Sequence, residues 1–175
     1  ADREALDPDT FAALLTGLQS FRRLPGVPEH MGFNAIYHCP SQEDANELRN
    51  YLGDMFGIRS PEDLGPMAHD FFHIHNEYAD FLADWNDTPN FDVNELDEES
   101  RQIYENSRDF AENFRDLVGE QGFLAWDIGE RSMLVRASCA CGIIDEQQCI
   151  QCLNAEIELA FTNFHSWADY AVSLA

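Results

Sequence analysis

Apolar residues recur at helical spacing along most of the chain, and start and stop signals divide them into segments. The first segment, residues 11–21, follows Asp7-Pro8, where the aspartate can cap a helix and the proline fits its first position. The second runs from a serine at position 41 to a glycine at position 57. The third begins at residues 60–63 and is predicted to continue to about Trp85. The first half of the chain is therefore predicted to be helical.

The second half continues in the same way. Helices are predicted over about residues 95–118 and 122–141. Residues 145–148 form a capping box that starts a further helix, and residues 166–169 form a second one before a short terminal helix. No long strand-like alternation of apolar and polar residues occurs in the sequence. The chain is predicted to be all-α, with residues 1–175 forming a single compact domain of about six or seven helices.

The predicted helix over 95–118 has a mixed pattern. Arg101, Arg108 and Arg115 recur every seven residues among acidic residues, which is typical of a solvated face held by pairs four positions apart. Its apolar positions are Ile103, Tyr104, Phe110, Phe114, Leu117 and Val118.

Charge narrows the choice of partner. The chain has 33 acidic residues and 10 basic ones, all arginine, for a formal charge of −23. Such a protein is predicted to bind neither nucleic acid nor an anionic membrane, since both need basic residues. The negative charge favours a basic protein partner, or it serves only to keep the protein soluble.

The acidic residues are concentrated in residues 76–120, where 14 acidic residues and three arginines give a net charge of 3 − 14, or −11. The densest part is predicted to be the site that binds the partner. Its residues are Asp92, Glu95, Asp97, Glu98 and Glu99.

The remaining composition indicates a folded cytoplasmic protein. Hydrophobic residues make up 45% of the chain, too many for a disordered acidic tail. The sequence has neither a run of 18 apolar residues nor the basic and apolar regions of a signal peptide. We therefore expect the five cysteines to be reduced thiols in the cytoplasm.

Four short motifs carry a family resemblance. They occupy residues 56–64, 125–131, 142–146 and 164–170. The second reads Trp-Asp followed by arginine four positions after the aspartate, and the last reads Phe-His-Ser-Trp-Ala-Asp-Tyr. In this order and at this spacing they resemble the bacterial domain of unknown function 1266 family, over roughly residues 48–171. Residues 1–45 match no pattern of that family.

The resemblance implies a helical fold and a bacterial source. Members of that family are suspected of protein–protein roles, including as companions of toxins, and the resemblance supplies no catalytic residues. This chain departs from the pattern at Phe56, where the family has tryptophan, and at residues 138–141, where an aromatic residue is usual.

Three groups of residues could carry chemistry. Cys139, Cys141, Cys149 and Cys152 could supply four thiolates to zinc. However, cysteines two positions apart on a helix point in nearly opposite directions, so buried core thiols are the preferred interpretation and no metal is predicted.

The second group is His69, His73 and Glu77, which share one predicted helical face and could bind a metal ion. Because no second ligand motif accompanies them, exposed polar residues are the preferred interpretation. The third group is Asp127 with Arg131, which could bind an anion or clamp two helices together. The clamp is preferred because Trp126 beside them suggests a core-facing helix, and Trp126, Arg131 and Trp167 are predicted to hold the helices together.

These observations favour a function in binding, and no catalytic residue or cofactor is predicted. We expect an acidic protein-binding domain, in its most specific form an immunity or antitoxin-type protein that neutralises a basic toxin or effector. The alternative is an uncharacterised enzyme or metal-binding protein that uses the His69/His73/Glu77 face or the Cys139–Cys152 cluster. Whether the protein is an enzyme stays open, with the absence of P-loop, Gly-x-Ser-x-Gly and His-Glu-x-x-His motifs favouring a non-enzyme.

Overall fold

A computed structural model describes residues 24–26, 38–65 and 76–174 of the chain. Every regular element in these ranges is helical, which confirms the all-α prediction. Residues 61–65 are helical, and a short 3₁₀ helix spans Val93–Glu95. The α-helices are α1 (Gln42–Phe56), α2 (Asn76–Trp85), α3 (Glu98–Val118), α4 (Leu124–Ala140), α5 (Glu146–Asn163) and α6 (Trp167–Leu174).

Helix α4 is the centre of the fold, with α1, α5 and α6 packed against it. Residues 131–138 are all buried, so this part of the helix meets protein on every side. Several residues buried on α4 are small, among them Gly129, Ser132 and Ala137, and small side chains leave room for close packing between helices. Leu48 and Leu52 of α1 are fully buried in the same core.

Hydrogen bonds join α6 to the beginning of α4. The Ser173 hydroxyl donates to the Gly122 carbonyl at 2.7 Å and accepts from the Ala125 backbone N–H at 3.1 Å. The Tyr170 hydroxyl donates to the Ala125 carbonyl at 3.3 Å. These buried bonds satisfy polar groups at the helix start and fix the angle between the two helices.

The predicted helix ends are largely confirmed. The Ser41 side chain accepts from the Asp44 backbone N–H, and Gly57 ends α1 in the left-handed conformation at φ 71°. Asp145 and Gln148 form the predicted capping box at the start of α5. At the start of α6, the Ser166 hydroxyl accepts from the Asp169 backbone N–H at 3.1 Å.

Helix α3 begins three residues later than predicted. Its cap is Asp97, whose carboxylate accepts from the Ser100 backbone N–H. The preceding residues 93–95 form the 3₁₀ helix, capped by Asp92. The carboxylates of Asp92 and Asp97 therefore set where the 3₁₀ helix and α3 begin, because each accepts a backbone N–H from the first turn that follows it.

Some predicted features lie outside the described residues. These are the helix after Asp7-Pro8, the middle of the predicted helix from 60 to 85, and both His69 and His73. Within the described residues, no helix combines the length and the apolar character that crossing a bilayer requires.

Candidate functional site

The predicted partner site spans the connection between α2 and α3 and the first turn of α3, and all five of its acidic residues are exposed. Asp92 accepts from the Asn94 backbone N–H at 2.9 Å and from the Asn94 side-chain amide at 3.0 Å. Asp97 caps α3, with Glu98 and Glu99 in the first helical turn. The acids are therefore brought to one short surface segment, and two of them also stabilise local structure.

Hydrogen bonds keep these two capping residues ionised. The Asn94 backbone and side-chain N–H groups lower the pKa of Asp92, and the Ser100 backbone N–H lowers that of Asp97. Both carboxylates therefore hold their negative charge to a lower pH than a free aspartate does.

Helix α3 continues this acidic surface and has three different sides. Tyr104 and Ala111 form its buried side. One flank is acidic and exposed, and the Arg108 guanidinium pairs there with Glu112 at 3.1 Å. This pair confirms the predicted solvated pattern for Arg108, although Arg115 is half-buried. The acidic residues of that flank are Glu105, Asp109, Glu112 and Asp116.

The other flank of α3 is apolar and exposed. The exposed fractions of its four largest side chains lie between 42% and 67%. Of the six apolar positions predicted for this helix, only Tyr104 is buried. An apolar helical pattern shows which residues share a face, but it does not show whether another element covers that face. The four residues, here called the α3 stripe, are Ile103, Phe110, Phe114 and Leu117.

An ionic network lies in the core, on helices α4 and α5, and contains none of the residues of the acidic surface. The Arg131 guanidinium donates through Nε and Nη2 to one Glu156 carboxylate oxygen, at 3.0 and 2.7 Å. The third guanidinium nitrogen, Nη1, lies 3.5 Å from an Asp127 carboxylate oxygen. The side chains of Arg131 and Glu156 are 3% and 2% exposed. The predicted pair of Asp127 and Arg131 therefore exists, but it is part of a buried triad.

Burial controls the chemistry of this network. It raises the pKa of Glu156 to about 7, while Arg131 acts in the opposite direction. Burial and the nearby Glu156 also raise the pKa of the Tyr170 hydroxyl. These groups link α4, α5 and α6, and their burial closes them to a dissolved substrate.

One member of this network was not predicted from the sequence, and the position of one neighbouring residue was predicted wrongly. Glu156 has no basic residue three or four positions away that would mark it as half of an ion pair, yet it shares a helical phase with buried Cys149, Leu153 and Ala160. A charged residue in that phase is a usable signal for a buried pair. The prediction that Trp126 faces the core was wrong, because its side chain is 47% exposed.

A family model with the description "Protein of unknown function (DUF1266)" matches residues 43–175. The chain belongs to the DUF1266 family. No curated protein and no solved structure matches it. The match extends a few residues beyond both ends of the segment predicted from the motifs.

The DUF1266 motifs lie in the core of the domain and at the ends of its helices. Residues 56–64 contain the end of α1 and the buried Ile58. Residues 125–131 form the first half of α4 and supply two members of the ionic network. Residues 142–146 connect α4 to α5, and residues 164–170 lead into α6. The motifs that identify the family thus build its core and helix ends.

All five cysteines are free thiols, of which Cys39, Cys141 and Cys149 are buried in the core, and Cys139 and Cys152 are partly buried against it. Burial raises the pKa of each one, most strongly for Cys149, to about 12. The Arg49 guanidinium donates to the Cys141 carbonyl at the end of α4. Protonated, buried thiols behave as small apolar residues, as predicted.

Two groups of residues are the candidate metal sites: the cysteines of 139–152 and the His69/His73/Glu77 face. In the part of the chain that the structure describes, no three His, Cys, Asp or Glu side chains come together as metal ligands would. Of the His69/His73/Glu77 face, both histidines and the Glu77 side chain lie outside the described residues.

Proposed function

We propose that this protein is an acidic protein-binding domain whose partner is a basic protein. The observation that carries the proposal is the exposed acidic segment from Asp92 to Glu99, which continues into the acidic flank of α3. A dense field of one sign speeds the encounter with a partner of opposite sign and disfavours partners of like sign. The overall charge of −23 adds to this field.

The contrast with the core supports the same proposal. Arg131, Asp127 and Glu156 are the residues that resemble a reactive group, and they are enclosed by helices. The acidic residues of α3 are open to solvent. A large dissolved partner can therefore reach the acidic surface and not the ionic network.

In its specific form, the proposal is that the domain is a bacterial immunity or antitoxin-type protein. An acidic surface is suited to covering a basic toxin site that otherwise receives a phosphate-rich substrate. We place the protein in the cytoplasm, because free thiols persist in a reducing compartment.

The partner can be sought by co-purification with the tagged full chain from bacterial cells at low and high salt. Three proteins are compared: the wild type, Asp92→Asn/Glu95→Gln/Glu99→Gln, and the control Glu47→Gln/Glu158→Gln/Asp169→Asn. Both variants remove three exposed charges, at different places. Asparagine at position 92 keeps an acceptor for the 3₁₀ helix cap.

We expect a basic protein to be retained by the wild type and the control at low salt, and to be lost from the other variant. High salt should release it from all three, because screening weakens exposed charge pairs. Expressed alone, a toxin partner should arrest growth, and co-expression of the wild type should restore it. A retained partner that is acidic, or that is insensitive to both salt and substitution, would contradict the proposal.

A further inference from the structure

The α3 stripe is the largest group of exposed apolar side chains that one described helix presents. Its residues are spaced by seven, four and three positions, which places them on one side of the helix. The other large exposed apolar residues of the described chain lie on separate elements: Met55, Phe91, Trp126 and Ile150. Single residues of that kind are normal on a surface, whereas a contiguous apolar row along four helical turns is a candidate binding surface.

A rigid base supports the stripe. The Phe110 ring lies 4.7 Å from Phe114, 6.1 Å from Trp85 and 6.2 Å from Phe123, centroid to centroid. Trp85 is buried, and its indole N–H donates to the Gly119 carbonyl at 2.8 Å. Because these rings hold Phe110 and Phe114 in place, a partner would meet a surface that loses little side-chain entropy on binding.

The acidic flank runs parallel to the stripe along the whole helix. At 3.6 residues per turn, the two rows are about 140° apart around the axis. Between them lie exposed uncharged residues: Gln102, Asn106 and Asn113. The solvent side of α3 therefore offers apolar contacts along one edge and negative charge along the other.

We propose that α3 is the docking surface for an amphipathic basic helix of the partner protein. Its apolar side chains would lie on the α3 stripe, and its Lys and Arg side chains would pair with the acidic flank. The inference rests on the proposed function and adds the kind of element that the partner supplies. Charge selects this occupant over two others: an anionic membrane would be repelled, and a second copy would bring a further charge of −23.

The probe is a labelled 18-residue peptide of leucine and lysine arranged with helical periodicity, and its binding is followed by fluorescence anisotropy. The control peptide has the same composition in an order without an apolar face. The protein variant is Ile103→Ser/Leu117→Ser, which removes the two most exposed stripe residues and leaves the ring cluster intact. Met55→Ser is its match, since Met55 is 63% exposed on α1.

We expect the double variant to bind the periodic peptide about tenfold or more weakly than the wild type, while Met55→Ser binds as the wild type does. The control peptide should bind weakly to all proteins. Circular dichroism and the denaturation midpoint confirm folding, and Ile103→Ser alone serves as the milder variant if the double one is unstable.

Several results would overturn the inference. The first is that the wild type and the stripe variants bind the periodic peptide equally well, or that neither binds it. If Glu105→Gln/Asp109→Asn/Asp116→Asn weakens binding and the stripe variants do not, the acidic protein-binding function stands and the helix docking surface fails. Sedimentation that shows a wild-type dimer and a monomeric Ile103→Ser/Leu117→Ser would assign the stripe to a second copy. Protection of the stripe from hydroxyl-radical footprinting in the free monomer would assign it to another part of this chain.

Discussion

Helices α3 and α4 are neighbours in the chain, and they place their charged residues in opposite environments. On α4, Asp127 and Arg131 are buried, and Arg131 pairs both with Asp127 and with Glu156 of α5. On α3, most acids face solvent, and one of the arginines forms a half-exposed pair. The same residue types therefore have different consequences: buried charges fix how helices pack, whereas exposed charges act at a distance on other molecules.

The family motifs follow this division. The aspartate and arginine at positions 127 and 131 belong to the motif region and to the buried network. The acidic segment from Asp92 to Glu99 carries none of the motifs and lies on the surface. In this family member, the residues that identify the fold and the residues proposed to bind a partner are thus separate sets.

The largest expected effect comes from opening the buried network. Arg131→Met should lower the free energy of unfolding by about 3–5 kcal/mol, because it leaves two carboxylates in the core without their cation. Arg108→Met, at the exposed pair on α3, is the matched control and should leave the denaturation midpoint nearly unchanged. Chemical denaturation of both variants measures the contrast, and equal midpoints would show that the two arginines do not differ as described.

The second effect is a pH dependence from Glu156. Burial raises its pKa from 4.5 to about 7 in the folded protein, so the folded state holds this proton more tightly than the unfolded chain does. The stability that Glu156 contributes is therefore full below pH 4.5, falls as pH rises to about 7 and is constant above that.

Glu156→Gln removes this titration and leaves the other acids in place. The difference in unfolding free energy between wild type and Glu156→Gln should change by on the order of 3 kcal/mol across that window, in the direction that favours the wild type at low pH. Urea denaturation of both proteins at several pH values measures it. A difference that is constant with pH would mean that burial does not raise the pKa of this carboxyl.

A smaller effect is expected at the start of α5. Asp145→Ala removes one half of the capping box and should lower the free energy of unfolding by about 1 kcal/mol. Asp109→Ala, in the middle of exposed α3, removes the same side chain without removing a cap. It should be neutral or slightly stabilising, since alanine is the better helix former. Thermal unfolding of the two variants compares them, and a larger loss at position 109 would reverse the expected order.

Short-range signals made the helix ends predictable. The side chains of Ser41, Asp145 and Ser166 each accept the backbone N–H of the residue three positions later. A short stretch of sequence is therefore enough to predict where these helices begin. The pair of Asp127 and Arg131 was predictable for the same reason, since four positions separate them on one helix.

Long-range packing was not predictable in the same way. Helix α4 is buried on nearly every side, so apolar residues do not concentrate on one face of it. The sequence therefore could not show that the Trp126 side chain is exposed. On α3 the apolar pattern is clear, but whether a second element covers it depends on the tertiary arrangement. Glu156 pairs with a residue 25 positions away, and only the packing of α4 against α5 brings the two together.

The most direct test of the proposed division between core and surface is the association rate of the wild type with its co-purified basic partner, measured by stopped flow at several salt concentrations. The rate should fall as salt rises, and Asp92→Asn/Glu95→Gln/Glu99→Gln should lower both the rate at low salt and its salt dependence. The denaturation midpoint of that variant should match the wild type. An association rate that is the same at every salt concentration and in both proteins would contradict a binding function for the acidic surface.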